Sequence, residues 1–169
     1  EADLFVSVHA NSSRTASVRG VETYYLNVTN DAWALDVAAR ENAAADHSVH
    51  ELQDLLSKIV MREKTDESRE LAVRMQRTLY GGLAKTTPGL RDRGVRQAPF
   101  MVLVGAKMPA ILAEIGFLSN PTDEKLLKST KFRRQVAELL FNGVESYIGS
   151  LSKHEVTMSD PPAAAAALD

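Results

Sequence analysis

The stretch Met108-Pro109-Ala110-Ile111-Leu112-Ala113-Glu114-Ile115-Gly116-Phe117-Leu118-Ser119-Asn120 decides how this chain is read. Its near-continuous apolar run belongs to a strand covered on both faces, as in α/β sheets. One carboxylate, Glu114, interrupts it. A second run, Leu4-Phe5-Val6-Ser7-Val8, delivers His9-Ala10-Asn11-Ser12 in the same manner. Ligands of open α/β sheets collect at the carboxyl ends of strands. An imidazole and a carboxylate placed there can supply a metal ligand and a general base.

Working outward, four strands are predicted, roughly Asp3 to Val8, Gly20 to Leu26, Pro99 to Val104 and Ala110 to Phe117. Helices fill the intervals. Ala32 to Asn42 is Ala-rich and carries Trp33, Leu35 and Val37. Ser48-Val49-His50-Glu51 has the form of a capping box, followed by Leu52, Leu55, Leu56, Ile59 and Val60 at helical spacing. Leu71, Met75, Leu79 and Leu83 recur four apart between Asp66 and Ala84. Asn120-Pro121-Thr122-Asp123 reads as a helix start, and a last amphipathic helix is predicted from about Lys131 to Gly149. The alternation predicts an α/β fold, a mainly parallel sheet flanked by helices over residues 1–150. Residues 151–169 turn polar and end in Pro161-Pro162 and five alanines, in the manner of a linker or frayed end.

Composition narrows the function. Of 169 residues, 44% are hydrophobic and 25% charged, ordinary for a globular domain with a real core. A net charge of -2 gives no electrostatic reason to expect nucleic acid. With no cysteine, zinc would have to take His, Asp, Glu or water. No apolar run approaches the ~20 residues of a membrane span.

Each candidate site residue has a bland reading beside the chemical one. A lone histidine such as His9 can be structural as well as a metal ligand. His47 and His50 flank a helix start, and His154 lies in the polar tail; both positions suit solvent-facing side chains. Glu114, among Ile111, Leu112, Ala113 and Ile115, would lose hydration on burial, which raises a carboxyl pKa toward the range of a base. Alternatively it pairs with Arg91, Arg93 or Arg96. Those arginines belong to a Gly-bounded loop, Gly89 to Arg96, that can clamp substrate carboxylates or simply remain solvated and pair with Asp92.

Taken in order, several segments resemble the zinc-dependent N-acetylmuramoyl-L-alanine amidases of bacterial cell-wall turnover. They are Val6 to Ser12, Arg19 to Leu26, Glu67 to Ala72, Arg93 to Val95 with Ala98 to Leu103, and Met108 to Asn120. The resemblance implies Zn2+ as cofactor, peptidoglycan as substrate, a periplasmic or cell-wall location, His9 as a zinc ligand and Glu114 as the catalytic acid/base. It gives Asn11 the task of holding the loop after His9, with Asn11 and Arg93 near the substrate, and Glu22 a support role. It also implies a further His and a Glu from residues that would precede Glu1. The chain is therefore expected to be the later two-thirds or more of a catalytic domain, with its amino-terminal part missing, and to bind zinc poorly by itself. Arg40-Glu41-Asn42-Ala43-Ala44 resembles a segment of cell-division amidases in which an inserted helix covers the metal site. By that resemblance Glu41 is an inhibitory ligand and residues 43–63 a lid or activator-docking helix; an ordinary helix packed on the core is the competing reading. A non-catalytic peptidoglycan-binding or regulatory domain on the same fold, or another zinc hydrolase such as a carboxypeptidase, are the alternatives of function.

Overall fold

In the computed structural model, residues 2–43, 48–58 and 62–159 are described. Four strands form one sheet: β1 (Phe5–Asn11), β2 (Val21–Leu26), β3 (Asp92–Ala98) and β4 (Ala110–Phe117), in the order β1-β4-β2-β3. β1 with β4 and β2 with β3 are parallel, whereas β2 and β4 are antiparallel. The sheet is thus mixed, with two of its three pairings parallel. One rim of it gathers the carboxyl ends of β1 and β4 and the amino ends of β2 and β3.

Helices α1 (Ala32–Glu41) and α2 (Val49–Lys58) cover one face; α3 (Arg62–Leu83) and α5 (Thr130–Ser159) cover the other, and α4 (Pro121–Lys128) caps the rim end. Side chains alternate across a strand, and β2 and β4 show it clearly. Tyr24 and Leu112 join the α1-side core with Ala34, Val37, Ala38 and Phe100. Tyr25 and Ile111 join Leu71, Met75 and Tyr147 on the α3/α5 side. Glu22 and Glu114 fall on the same alternation as Tyr24 and Leu112, so both carboxylates belong to the α1 face.

The capping signals operate as read. Ser48 Oγ accepts from the Glu51 amide at 3.2 Å while Glu51 Oε2 accepts from the Ser48 amide at 2.8 Å. Asn120 Oδ1 accepts from the Thr122 and Asp123 amides at 3.0 and 3.1 Å, starting α4 with Pro121 in its first turn. Gly20 holds φ at +117°, and a Cβ there would collide with the Arg91 carbonyl oxygen, where β2 and β3 begin side by side.

The third strand differs from expectation. Pro99 to Val104 is not a strand; β3 is the polar segment Asp92–Ala98, and Met101–Leu103 forms a single 3-10 turn. Among the described residues β3 is an edge strand pairing only with β2, so Arg93, Arg96 and Gln97 tolerate their positions by finding polar partners. Pro99 cannot extend the ladder because it has no amide proton. The apolar run beyond it fills the core through Phe100 and Leu103 without pairing. β1 continues to Asn11, so His9 and Asn11 lie within the strand and not after it. α5 continues to Ser159, past the Gly149 at which the periodicity predicts its end. Residues 160–169 lie outside the described residues, as does His47.

Candidate functional site

His9 on β1 and Glu114 on β4 are direct register partners across a parallel pairing. Glu114 is in turn the register partner of Glu22 on β2. Three strands therefore align His9, Glu114 and Glu22 in one row along the rim, all on the α1 face. Helix α1 runs over that face and ends at Glu41, whose Oε2 lies 2.6 Å from His9 Nδ1. Ligand atoms of His9, Glu41 and Glu114 all lie within 4.8 Å of one another.

Glu114 is fully buried, and neither carboxylate oxygen has a hydrogen-bond partner among the described residues. Burial, reinforced by the charges of Glu41 and then Glu22 and opposed by Arg40, pushes its carboxyl up to about 9. Sequence reasoning offered a pairing of Glu114 with Arg91, Arg93 or Arg96; the structure overturns it. Arg93 and Arg96 turn to Glu22 instead, with Arg93 Nε donating to Glu22 Oε2 at 3.1 Å and Arg96 Nε 3.8 Å from the same oxygen. Nor do the arginines pair with Asp92, whose Oδ1 accepts from Gln76 Nε2 at 2.6 Å and the Gly94 amide at 2.9 Å.

Glu22 is as buried as Glu114 but fully partnered. Asn11 Nδ2 donates to its Oε1 at 2.7 Å, and Trp33 Nε1 reaches both oxygens at 3.2 and 3.3 Å. Asn11 also accepts the Ser12 amide on its Oδ1 at 2.7 Å, fixing the chain as it leaves β1. Arg93 lies over the Trp33 ring, 4.4 Å from its centroid, and 5.3 Å from that of Phe117. The two rim carboxylates thus have opposite environments: Glu22 is held by four donor contacts, whereas Glu114 is left open toward His9 and Glu41.

The residues fit a divalent metal on chemical grounds. Zinc accepts imidazole nitrogen and carboxylate oxygen, and catalytic sites commonly present three protein groups. A buried carboxylate with two unpartnered oxygens is costly unless it is protonated or meets a cation.

The N-acetylmuramoyl-L-alanine amidase family description matches residues 1–146. This chain belongs to that family. The amidase AmiC of Neisseria meningitidis serogroup B is 36% identical over 157 residues, covering 88% of this chain and 36% of its own length. The amidase AmiA of Salmonella typhimurium is 31% identical over 155 residues, covering 86% of this chain and 52% of AmiA. Among solved structures, the N-acetylmuramoyl-L-alanine amidase of Clostridium difficile 630 superposes with a TM-score of 0.61 at 31% identity, over 88% of this chain and 59% of that one. The chain thus spans about half, or less, of the curated relatives it matches.

Sequence reasoning missed three members of the amidase rim. Trp33 reads as one more apolar residue of α1, yet its indole N–H serves Glu22. Asp31, just before the predicted helix, caps α1 by accepting from the Trp33 amide at 2.9 Å and also pairs with Arg96. Arg40 joins Asp36 at 2.8 Å and reaches Asn11 Oδ1 at 3.5 Å. A signal was present in Glu22 itself: a carboxylate between Val21 and the Thr23-Tyr24-Tyr25 run requires donors, and Trp33 is the chain's single tryptophan.

Proposed function

We propose that this chain is part of a zinc-dependent enzyme that hydrolyses the amide between N-acetylmuramic acid and L-alanine in peptidoglycan. The observation that carries the reading is the pairing, across adjacent strands, of His9 with an unpartnered buried Glu114. His9 and Glu41 would hold the zinc, with Glu114 beside it. When bound, zinc supplies Lewis-acid polarisation of the scissile carbonyl and lowers the pKa of coordinated water toward ~7. A cation beside it would lower the Glu114 carboxyl and keep it ionised, so that Glu114 would accept a proton from the attacking water and deliver one to the departing alanine amine. Asn11, Trp33 and Arg93 hold Glu22, and through it the rim geometry, without touching the reacting atoms.

The 2.6 Å approach of Glu41 Oε2 to His9 Nδ1 supports reading Glu41 as an inhibitory ligand in the position of substrate or water. Residues 43–63 then serve as a cover and an activator-docking helix. Val49 and Leu52 bury against the domain, so the described part of α2 packs on the core as an ordinary helix would; the rest of the stripe, Leu55, Leu56 and Ile59, lies outside the described side chains. Deleting 43–63 from the complete enzyme is expected to raise peptidoglycan release. The proposed setting is the periplasm or cell wall, in daughter-cell separation or autolysis; among the described residues no helix is long and apolar enough to cross a membrane.

The test is digestion of purified peptidoglycan by the complete enzyme, with mass spectrometry of the products. New peptides beginning with L-alanine, absent with Glu114→Gln, are expected. Cleavage at any other bond, or full cleavage by Glu114→Gln, would overturn the proposal.

A further inference from the structure

We infer that Asn42 is a positioning residue for Glu41: its side-chain amide clasps the backbone at Pro99 and Met101, and opening this clasp is the step that releases Glu41 from His9. Asn42 closes α1 immediately after Glu41 and is buried. Its Nδ2 donates to the Pro99 carbonyl oxygen at 2.8 Å, and its Oδ1 accepts from the Met101 amide at 2.9 Å. Pro99 and Met101 lie just beyond β3. A side-chain amide that both donates and accepts there does for this backbone what a neighbouring strand would do.

The packing of α1 shows why the clasp matters. The buried apolar residues of the helix, Ala34, Val37 and Ala38, all lie before its last turn. Ala39 is exposed, and Arg40 and Glu41 are partly exposed. Arg40 pairs with Asp36 of the same helix and reaches Asn11 Oδ1 only at 3.5 Å. Among the described residues, the last turn is therefore fastened to the domain chiefly by the Asn42 clasp and by the 2.6 Å approach of Glu41 to His9. Helix ends fray because their last carbonyls lack intrahelical partners. Without the clasp, bringing Glu41 to His9 would also have to order that turn, at an entropic cost for each residue fixed. With it, the backbone beneath Glu41 is held to a segment whose Phe100 and Leu103 are fully buried.

The clasp also stands at the boundary of the proposed cover. Ala43 follows Asn42 directly, and residues 43–63 are the segment read as cover and activator-docking helix. A pull on that segment reaches Asn42 before it reaches Glu41. The inference rests on the inhibitory reading of Glu41 and names the contact through which displacement of the cover is passed to it.

The experiment uses the complete metal-free protein, as wild type and as Asn42→Ala, Glu41→Ala and Ser68→Ala. Ser68→Ala is the control: it removes a buried side-chain-to-backbone hydrogen bond, to the Ala110 amide at 3.0 Å, at the far end of β4 from Glu114. NMR follows the His9 imidazole nitrogens at one fixed pH, and hydrogen exchange follows the amides of Asn42, Ala43 and Met101. In Asn42→Ala the His9 Nδ1 signal should move at least halfway to its position in Glu41→Ala. The Asn42 and Ala43 amides should exchange about thirtyfold faster, the worth of two neutral hydrogen bonds. Ser68→Ala should change neither. In the wild-type protein the Met101 and Asn42 amides should open as one unit, a measurement that stands even if Asn42→Ala does not fold. A His9 signal left at its wild-type position in Asn42→Ala, an equal shift in Ser68→Ala, or independent opening of the Met101 and Asn42 amides overturns the inference. Peptidoglycan release by Glu41→Ala judges the inhibitory reading separately, so the two failures are distinguishable.

Discussion

Replacing Arg93 by Met probes how the rim keeps a fully buried carboxylate beside the proposed catalytic one. Methionine retains much of the aliphatic stem and removes the guanidinium, whose central carbon lies 4.4 Å from the Trp33 centroid and 5.3 Å from that of Phe117. Glu22 then loses a charge-assisted hydrogen bond at 3.1 Å, worth about 1.5–3 kcal/mol. The stacking of the guanidinium over Trp33 adds about 0.5–1 kcal/mol. Breaking a buried ion pair from one side costs about 3–5 kcal/mol in full. Arg96 stays 3.8 Å away, and Asn11 and Trp33 still donate, so the lower end applies, about 3 kcal/mol. With a urea slope of about 2 kcal/mol/M, the unfolding midpoint should fall by about 1.5 M. The Glu22→Gln, Arg93→Met double variant should lose less than the sum of the two single variants, because a neutral amide needs no counter-charge; a coupling of at least about 1.5 kcal/mol is expected. An Arg93→Met cost within about 0.5 kcal/mol, the range of ordinary surface substitutions, or additive behaviour in the cycle, would refute the assignment of Arg93 as the main support of Glu22.

Other perturbations have equally definite outcomes. In metal-free protein the raised Glu114 pKa, about 9, means that the folded state keeps a proton the unfolded state releases near pH 4.5. That contribution is complete below pH 4.5 and is lost as pH rises to 9, so Glu114→Gln should be the more stable protein at pH 7, by on the order of 3 kcal/mol. The gap should close at pH 4.5 in thermal or urea unfolding; a pH-independent difference would contradict it. Glu41→Ala in the complete enzyme should raise peptidoglycan release, read as solubilised wall material, whereas a fall would leave Glu41 as an indispensable ligand. Asn120→Ala removes the cap of α4 and should cost about 1 kcal/mol in urea unfolding, with no change indicating that the Asn120 side chain is dispensable there.

Much of this arrangement was legible in the chain because burial leaves a periodic trace. The β4 run around Glu114 and the capping motifs at Ser48 and Asn120 each state a local rule that packing then obeys. The family resemblance named His9 with Glu114, and Glu41 separately as one of two readings of its helix, although spacing alone links none of them: β1 and β4 meet only through sheet order, and Glu41 reaches the row because α1 happens to end over it. β3 escaped for the opposite reason. Edge strands need no apolar alternation, so Asp92–Ala98 reads as a polar loop, and the hydrophobic Pro99 to Val104 run misdirects the eye toward a segment that fills core without pairing. The Arg93–Glu22–Trp33 contacts were hidden too, since each joins residues from a different element.

The convergence of His9, Glu41 and Glu114 is tested most directly by zinc titration of the complete metal-free protein against a competing chromophoric chelator, with His9→Ala alongside. Zinc affinity should weaken in His9→Ala by more than about tenfold, 1.4 kcal/mol, with the circular-dichroism spectrum unchanged. Equal affinity in the two folded proteins would place the metal elsewhere and contradict the site.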